Sequence, residues 1–203
     1  MKKIYFTAVL LVSVLILISV QAMNITQTIY IQPLGNVKSE YLTAVKRSLE
    51  SFYQVKCVIT KPIDPTEDVI SKPRKRIDAS MALNKYNSSN HTIIVTERDI
   101  SHFKSVSQPD WGIFGLATKP GKIAIVSSYR LHNPDKKLII TRLQKIAIHE
   151  LGHNLGLAHC NKDIKCLMSA AGGTIKQVDQ EDIYFCTSCK RNLIHSTLLN
   201  LER

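Results

Sequence analysis

Residues 149–159 read His-Glu-Leu-Gly-His-Asn-Leu-Gly-Leu-Ala-His, a pattern whose histidines and glutamate suit metal chemistry. If this segment is helical, His149 and His153 lie four positions apart and therefore on one face of the helix. Their imidazoles can then bind a single Zn²⁺ at about 2.0–2.1 Å. Glu150 is one step round the helix from His149, so we expect it to take a proton from a water held by the metal rather than to bind the metal.

The third histidine of the pattern, His159, could not reach the same ion if the helix continued past His153. Gly156 offers a way to end the helix, because glycine tolerates the left-handed conformation that commonly terminates helices. We therefore expect the chain to fold back after Gly156 and to bring His159 to the metal. Three protein ligands leave one tetrahedral position open for water, which is typical of a catalytic rather than a structural zinc.

A buried helix whose histidines have only structural hydrogen bonds is the alternative. The predicted helix is apolar on nearly all sides, through Ile146, Ala147, Ile148, Leu151 and Leu155. Unpaired histidine and glutamate side chains would be costly to bury among these residues. A bound zinc ion removes that cost, so the pattern favours a metal site.

Four cysteines follow the third histidine: Cys160, Cys166, Cys186 and Cys189. Disulfides Cys160–Cys166 and Cys186–Cys189 are one possibility if the protein folds in oxidising surroundings. An alternative is one structural Zn²⁺ bound by four thiolates, and the spacing of the cysteines favours this second interpretation. The fifth cysteine, Cys57, is expected to be a buried free thiol.

The combined pattern resembles that of the archaemetzincins, a family of metzincin-clan zinc metalloproteases. In that family H-E-x-x-H-x-x-G-x-x-H is followed by C-x₄-C-x-M-x₁₇-C-x-x-C. The resemblance implies that Met168 belongs to a Met-turn beneath the three histidines and that the four cysteines bind a structural zinc, which makes two Zn²⁺ per chain. One departure is visible, because five residues separate Cys160 from Cys166 where the family usually has four.

The first 22 residues have the features of an export signal: Lys2 and Lys3, an apolar run, and a small-residue cleavage site ending at Ala22. We expect residues 1–22 to be a signal peptide and residues 23–203 to be the metalloprotease domain. An uncleaved signal anchor is the alternative, since the apolar run is short for a spanning helix. In either case the catalytic part is expected to be exported, to the periplasm or outside the cell, and membrane-anchored only through the N-terminus.

Hydrophobic periodicity predicts strands first and the site helix afterwards. Strands are predicted at 28–32, 55–60, 91–96, 114–118 and 122–127, and helices at 38–54 and 79–84. The site helix is predicted to begin near Asn133, with Pro134 at its first position, and to run to Leu155. Residues 101–111 are expected to form an irregular loop, with His102 an ordinary surface residue.

This order of elements indicates an α/β fold. Together with the resemblance, it implies a compact single-domain metzincin-like zincin, with a mixed twisted sheet, an active-site helix and a cysteine-bound C-terminal zinc segment. The segment Phe114-Gly-Leu-Ala117 also resembles archaemetzincin sequence. In metzincins an antiparallel edge strand borders the substrate cleft, and the strand beginning at Phe114 is our candidate, since its free backbone groups could pair with an extended peptide.

The formal charge is +11, or +9 once Lys2 and Lys3 are removed with the leader. The basic residues are scattered apart from the cluster at 72–76, which is typical of a solvated surface, so no nucleic-acid partner is expected. We expect a monomeric zinc-dependent peptidase in which Glu150 activates water on a three-histidine zinc to hydrolyse a peptide or protein substrate. A catalytically silent zinc-stabilised binding module is the alternative, and it would not need the intact Glu150.

Overall fold

The computed structural model describes residues 28–72, 74–170 and 172–193. The predicted leader, residues 1–22, lies outside these ranges. Within them, no helix has both the length and the apolar character that crossing a membrane requires.

Two β-sheets organise the chain. In chain order the strands are β1 (Thr28–Pro33), β2 (Lys56–Ile59), β3 (Ile70–Ser71), β4 (Arg76–Asp78), β5 (Thr92–Thr96), β6 (Ile100–His102), β7 (Trp111–Ile113), β8 (Gly115–Ala117) and β9 (Ile123–Ser127). The large sheet has the order β2-β1-β5-β9-β8 and the small sheet the order β3-β4-β6-β7. In the large sheet only β8 is antiparallel, and it forms the edge beside β9. The predicted mixed sheet with an antiparallel edge strand is therefore confirmed.

Helices cover both faces of the large sheet. They are α1 (Ser39–Tyr53), α2 (Ala79–Lys85), α3 (Lys136–Asn154) and α4 (Ile175–Gln180). Because successive side chains of a strand point to opposite faces, Ile93 and Val95 of β5 pack in the core with α1 and α3, whereas Ile94 packs in a second core with α2 and the small sheet. Every residue of β5 and β9 is buried, as expected for parallel strands covered on both sides.

The long helix α3 carries the histidine pattern, and its start differs from the prediction. The N-cap is Asp135, whose side chain accepts a hydrogen bond from the backbone of Lys137. Asn133 instead accepts a hydrogen bond from the backbone N–H of Asp135, so Asn133 and Pro134 precede the helix rather than open it. The C-terminal end agrees with the prediction: the helix stops at Asn154, and Gly156 has φ +95°.

The prediction of an irregular loop at residues 101–111 was wrong at both of its ends. β6 and β7 pair antiparallel there, with His102 opposite Trp111. The Asp99 carboxylate, just before β6, accepts from Arg76 at 2.6 Å and from Arg130 at 2.6 and 2.9 Å. These strands of three residues are held by distant charged partners, which short-range periodicity does not reveal.

The segment after the histidine pattern is tied back to α3. Arg142 donates two hydrogen bonds of 2.7 Å to the carboxylate of Asp179 in α4. The ammonium of Lys145 donates to the carbonyl oxygens of Val178 and Glu181, at the C-terminal end of α4. A cation at this end stabilises the unpaired carbonyl groups of a helix terminus. Two basic side chains of α3 therefore fix α4 beside the histidine face.

Candidate active site

The three histidines of the pattern converge as predicted. Their ligand nitrogens lie within 4.8 Å of one another, and Nε2 of His153 is 3.2 Å from Nε2 of His159. His149 and His153 come from the last two turns of α3, and His159 comes from the chain that turns back after Gly156.

Backbone carbonyl groups orient two of these rings. Nδ1 of His149 lies 2.6 Å from the carbonyl oxygen of Leu167, and Nδ1 of His153 lies 2.7 Å from that of Leu157. A carbonyl oxygen can only accept, so each Nδ1 carries the proton and donates. Each Nε2 then keeps its lone pair for a metal, as in many zinc sites where the second nitrogen is fixed by a hydrogen bond.

The geometry of the histidines fits zinc. Tetrahedral zinc with Zn–N bonds of about 2.0–2.1 Å requires nitrogens about 3.3–3.4 Å apart. The 3.2 Å between His153 and His159 is close to that value.

Burial keeps the histidines neutral, which metal binding requires. It lowers the pKa of His149 to about 3 and that of His153 to about 4, helped by the neighbouring imidazoles. The pKa of His159 is also lowered by burial, followed by the charge of Lys119. At neutral pH all three rings can therefore bind a cation without first losing a proton.

Glu150 is buried beside this cluster and packs against the edge strand. Burial raises the pKa of its carboxyl to about 8. A Cβ atom at Gly115 of β8 would lie 2.6 Å from Oε1 of Glu150, so only glycine leaves room for the carboxyl. A divalent cation nearby favours the ionised form of a carboxyl group, so metal binding would offset the effect of burial.

Met168 lies against the helix that carries the histidines. It is fully buried, and a Cβ atom at Gly152 of α3 would come within 2.6 Å of its sulfur. The backbone carbonyl of Met168 accepts from the N–H of Cys160 at 2.7 Å. The turn that contains Met168 therefore packs on the histidine helix and also positions the first cysteine.

The four cysteines after the histidines form a second cluster. Their sulfur atoms lie within 4.8 Å of one another. Two of the separations are 3.6 Å for Cys160–Cys186 and 3.8 Å for Cys166–Cys189. Tetrahedral zinc with Zn–S bonds of about 2.3 Å requires sulfurs about 3.8 Å apart. All four sulfur atoms are close to one another and none of the four cysteines is in a disulfide, so the geometry fits a four-thiolate metal site better.

The extra residue between Cys160 and Cys166 does not prevent this cluster from forming. Asp163 lies in that loop, accepts from the hydroxyl of Tyr184 at 2.5 Å and accepts from the backbone N–H of Lys165 at 3.0 Å. The loop is thereby folded onto the segment that carries the other two cysteines. Cys57, as predicted, is a buried free thiol far along the chain from the cluster, and burial raises its pKa to about 11.

A cavity of about 370 Å³ lies beside the histidines, and several of its residues were not predicted from sequence. The unpredicted residues include His102, Trp111, Lys145 and Glu181. His102 is half-buried on this wall rather than an ordinary surface residue. These four residues come from β6, β7, α3 and the end of α4, so they share no sequence motif. Only the fold brings them together.

Glu181 is 4% exposed, and this burial raises the pKa of its carboxyl group from 4.5 to about 7. The hydrogen bond from Gln177 and the charge of Lys145 lower the pKa, but their effect is smaller than that of burial. The folded state therefore holds this proton more tightly, and stability falls as pH rises from about 4.5 to 7. We predict that Glu181→Gln removes this loss. The difference in free energy of unfolding between the variant and the parent should therefore change with pH. It should favour the variant more at pH 8 than at pH 5.5, by on the order of 2 kcal/mol.

Denaturant unfolding of the zinc-loaded parent and variant at both pH values measures this difference. The exposed Glu40, replaced by glutamine, is the matched control and should show no such pH-dependent gain. An equal gain for Glu181→Gln at both pH values would contradict the raised pKa.

Comparison with known proteins identifies the family. A model of peptidase family M54 matches residues 84–195, more than half of the chain, including both clusters. The archaemetzincin of Methanocaldococcus jannaschii is 31% identical over 172 residues, which cover 81% of this chain and 92% of the relative. The crystal structure of the Archaeoglobus fulgidus archaemetzincin, complexed with malonate, is 29% identical with a TM-score of 0.72, covering 81% of this chain and 99% of that one.

The crystal structure of the Methanopyrus kandleri archaemetzincin is similar as well, at 25% identity and a TM-score of 0.73, over 89% of this chain and 98% of that one. The sequence pattern, the fold and the histidine cluster thus agree with one family. The chain belongs to peptidase family M54, the archaemetzincins, and is a zinc metallopeptidase.

Proposed function

We propose that His149, His153 and His159 hold the catalytic zinc and that Glu150 is the general base of peptide-bond hydrolysis. The observation that carries the proposal is the convergence of three imidazole nitrogens within 4.8 Å beside a buried carboxyl group. A purely structural metal site would not need a buried carboxyl group beside it. No basic side chain within residues 28–72, 74–170 and 172–193 forms an ion pair with Glu150.

Zinc bound there supplies a Lewis acid that polarises the scissile carbonyl and makes water more acidic. Glu150 accepts the proton of the attacking water and then passes it to the leaving amine. The close packing of Gly115 restricts where the carboxyl can lie, so proton transfer occurs from a fixed position. The carbonyl groups of Leu167 and Leu157 keep the imidazoles oriented throughout.

The edge of β8 is the proposed binding strand for the peptide. The carbonyl oxygen of Phe114 accepts from Ser127, and the N–H of Thr118 donates to Ile123, so these groups face β9. Because ladder hydrogen bonds alternate along an antiparallel strand, the backbone groups of Gly115 point away from β9. An extended peptide can add to this edge through main-chain hydrogen bonds, directly beside Glu150.

We predict that Glu150→Ala retains zinc at the histidine cluster and loses peptide hydrolysis, by about 10²–10⁴-fold, as expected for removing general-base help. His153→Ala should lose both that zinc and the activity, because two imidazoles bind zinc weakly. Zinc content and peptide turnover, measured side by side on the two variants, check this contrast. An active Glu150→Ala enzyme would show that another group is the base.

Gly115→Ala tests the position of Glu150 without changing its chemistry. The added methyl group forces the carboxyl to move, so hydrolysis should fall while zinc content and melting temperature stay close to those of the parent. Full activity in this variant would mean that the packing of Glu150 against β8 does not matter for catalysis.

We further propose that Cys160, Cys166, Cys186 and Cys189 hold a second, structural zinc. The support is the cluster of four sulfur atoms at separations suited to tetrahedral thiolate binding. With all four positions filled by protein, this site has no place for substrate. Its role is to join the turn after the third histidine to the segment at residues 186–189.

The two sites should therefore differ in how they lose metal. Brief chelation is expected to remove about one Zn²⁺ per chain from the open histidine site and to leave the fold intact. Cys186→Ser should lower stability, because metal binding at a closed site contributes to folding. Metal analysis and thermal unfolding measure both effects. One zinc in the fully loaded protein, with disulfide-linked cysteines found by mass spectrometry, would rule out the structural zinc.

We also propose that the protein is exported through residues 1–22 and acts as a monomer. The support for export is the basic start, apolar run and Ala22 cleavage site of the sequence. The support for a monomer is that one chain contributes all the residues of the proposed site. N-terminal sequencing of the exported protein should give a start near Met23, whereas a start at Met1 would indicate a membrane anchor. Light scattering checks the mass in solution.

A further inference from the structure

Two charged side chains line the cavity beside the histidines without any part in the chemistry described above. Lys145 lies one turn before His149 on α3, and Glu181 follows α4. Lys145 is 8% exposed and Glu181 4% exposed. Charged groups this deeply buried normally have all of their hydrogen-bonding capacity satisfied.

The ammonium group of Lys145 is incompletely paired. It donates to the carbonyl oxygens of Val178 and Glu181, which uses two of its three N–H groups. Across the described part of the chain, no further acceptor is in place for the third. The structural role of Lys145 at the end of α4 thus accounts for two of its three N–H groups and leaves the third without an acceptor.

The carboxyl group of Glu181 is also incompletely paired. Its Oε1 accepts from Nε2 of Gln177 in a long hydrogen bond of 3.4 Å. Its other oxygen has no donor within residues 28–72, 74–170 and 172–193. The cavity therefore contains one donor and one acceptor without partners, and both belong to residues that line it.

We propose that Lys145 and Glu181 form a side-chain subsite that selects a carboxamide, the glutamine side chain, next to the scissile bond of the substrate. The amide oxygen accepts from the ammonium of Lys145, and the amide NH₂ donates to the carboxylate of Glu181. The apolar side chains of Ile146 and Val178, which also line the cavity, contact the methylene groups. This subsite rests on the proposed peptidase function.

Other side chains satisfy the pair less well. A glutamate side chain is attracted by Lys145 but repelled by the carboxylate of Glu181. A lysine side chain is attracted by that carboxylate but repelled by the ammonium group of Lys145. A leucine side chain leaves both groups buried and unpaired, which is costly. A site built to hydrogen-bond a polar group discriminates strongly against analogues that lack it.

The first experiment compares peptides that carry Gln, Glu, Lys or Leu at each of the two positions flanking the cleaved bond. Assays at pH 8 keep Glu181 ionised, since burial raises its pKa only to about 7. At one of the two positions, kcat/KM for Gln should exceed that for Leu by about tenfold or more. Cleavage without a preference for Gln at either position overturns the subsite and leaves the peptidase function standing.

Charge-removing variants then test the two roles separately. Glu181→Gln should raise kcat/KM for the Glu peptide relative to the Gln peptide by about tenfold, because the repelling carboxylate is gone. Lys145→Met should do the same for the Lys peptide. The exposed residues Glu40 and Lys137 provide matched controls as Glu40→Gln and Lys137→Met, which should keep the parental ranking. An unchanged ranking in Glu181→Gln overturns the proposal even if Lys145→Met fails to fold.

A binding measurement separates the subsite from catalysis. Calorimetric titration of zinc-loaded Glu150→Ala with the same peptides should rank Gln first. If the parent cleaves no peptide but this ranking holds, the subsite stands and the peptidase function falls. If the Gln peptide binds no better than the Leu peptide, the subsite is wrong.

Discussion

The hydrogen bond from Nδ1 of His149 to the carbonyl oxygen of Leu167 joins the two parts of the metal centre. Its donor leaves Nε2 facing the other imidazoles. The acceptor, Leu167, directly precedes Met168, and the carbonyl oxygen of Met168 accepts a hydrogen bond from the backbone N–H of Cys160. One short stretch of backbone thus orients a ligand of the histidine cluster and positions the first member of the cysteine cluster. If the cysteine cluster holds the proposed structural zinc, that ion would fix this stretch and, through it, the orientation of His149.

The opposite wall of the site depends on the absence of a side chain. Gly115 lets β8 approach Glu150 so closely that a methyl group would collide with the carboxyl. Burial disfavours the ionised form of the Glu150 carboxyl unless a cation is nearby. The ionisation of Glu150 therefore depends on whether a metal ion is bound at the histidine cluster. The same approach brings the unpaired edge of β8 next to the reacting groups. The proposed placement of the base and the proposed binding of a peptide to β8 therefore both depend on one close contact.

Local sequence rules predicted the elements that carry the site. Helical spacing placed His149 and His153 together, and Gly156 ended α3 where a left-handed residue was needed. Short, nearly continuous apolar runs marked the parallel strands β5 and β9. The rules failed where short elements depend on distant charges. β6 and β7, with three residues each, are held through Asp99 by Arg76 and Arg130 from elsewhere in the chain. The start of α3 moved by two residues because Asp135 caps it better than Asn133 does.

The sequence by itself determined the candidate ligands, since residue type and spacing within residues 149–160 and 166–189 indicate which atoms can bind zinc and where a helix must end. For the four cysteines it favoured a zinc site over two disulfides without deciding between them. Only the tertiary structure decided the environment of those ligands. It set the contact of Gly115 with Glu150, the sulfur pairs of the cysteine cluster, and the cavity shared by Lys145 and Glu181. These features join residues far apart in the chain, and periodicity reports only on neighbours within a few turns. Burial and unpaired charge arise when separate elements pack together.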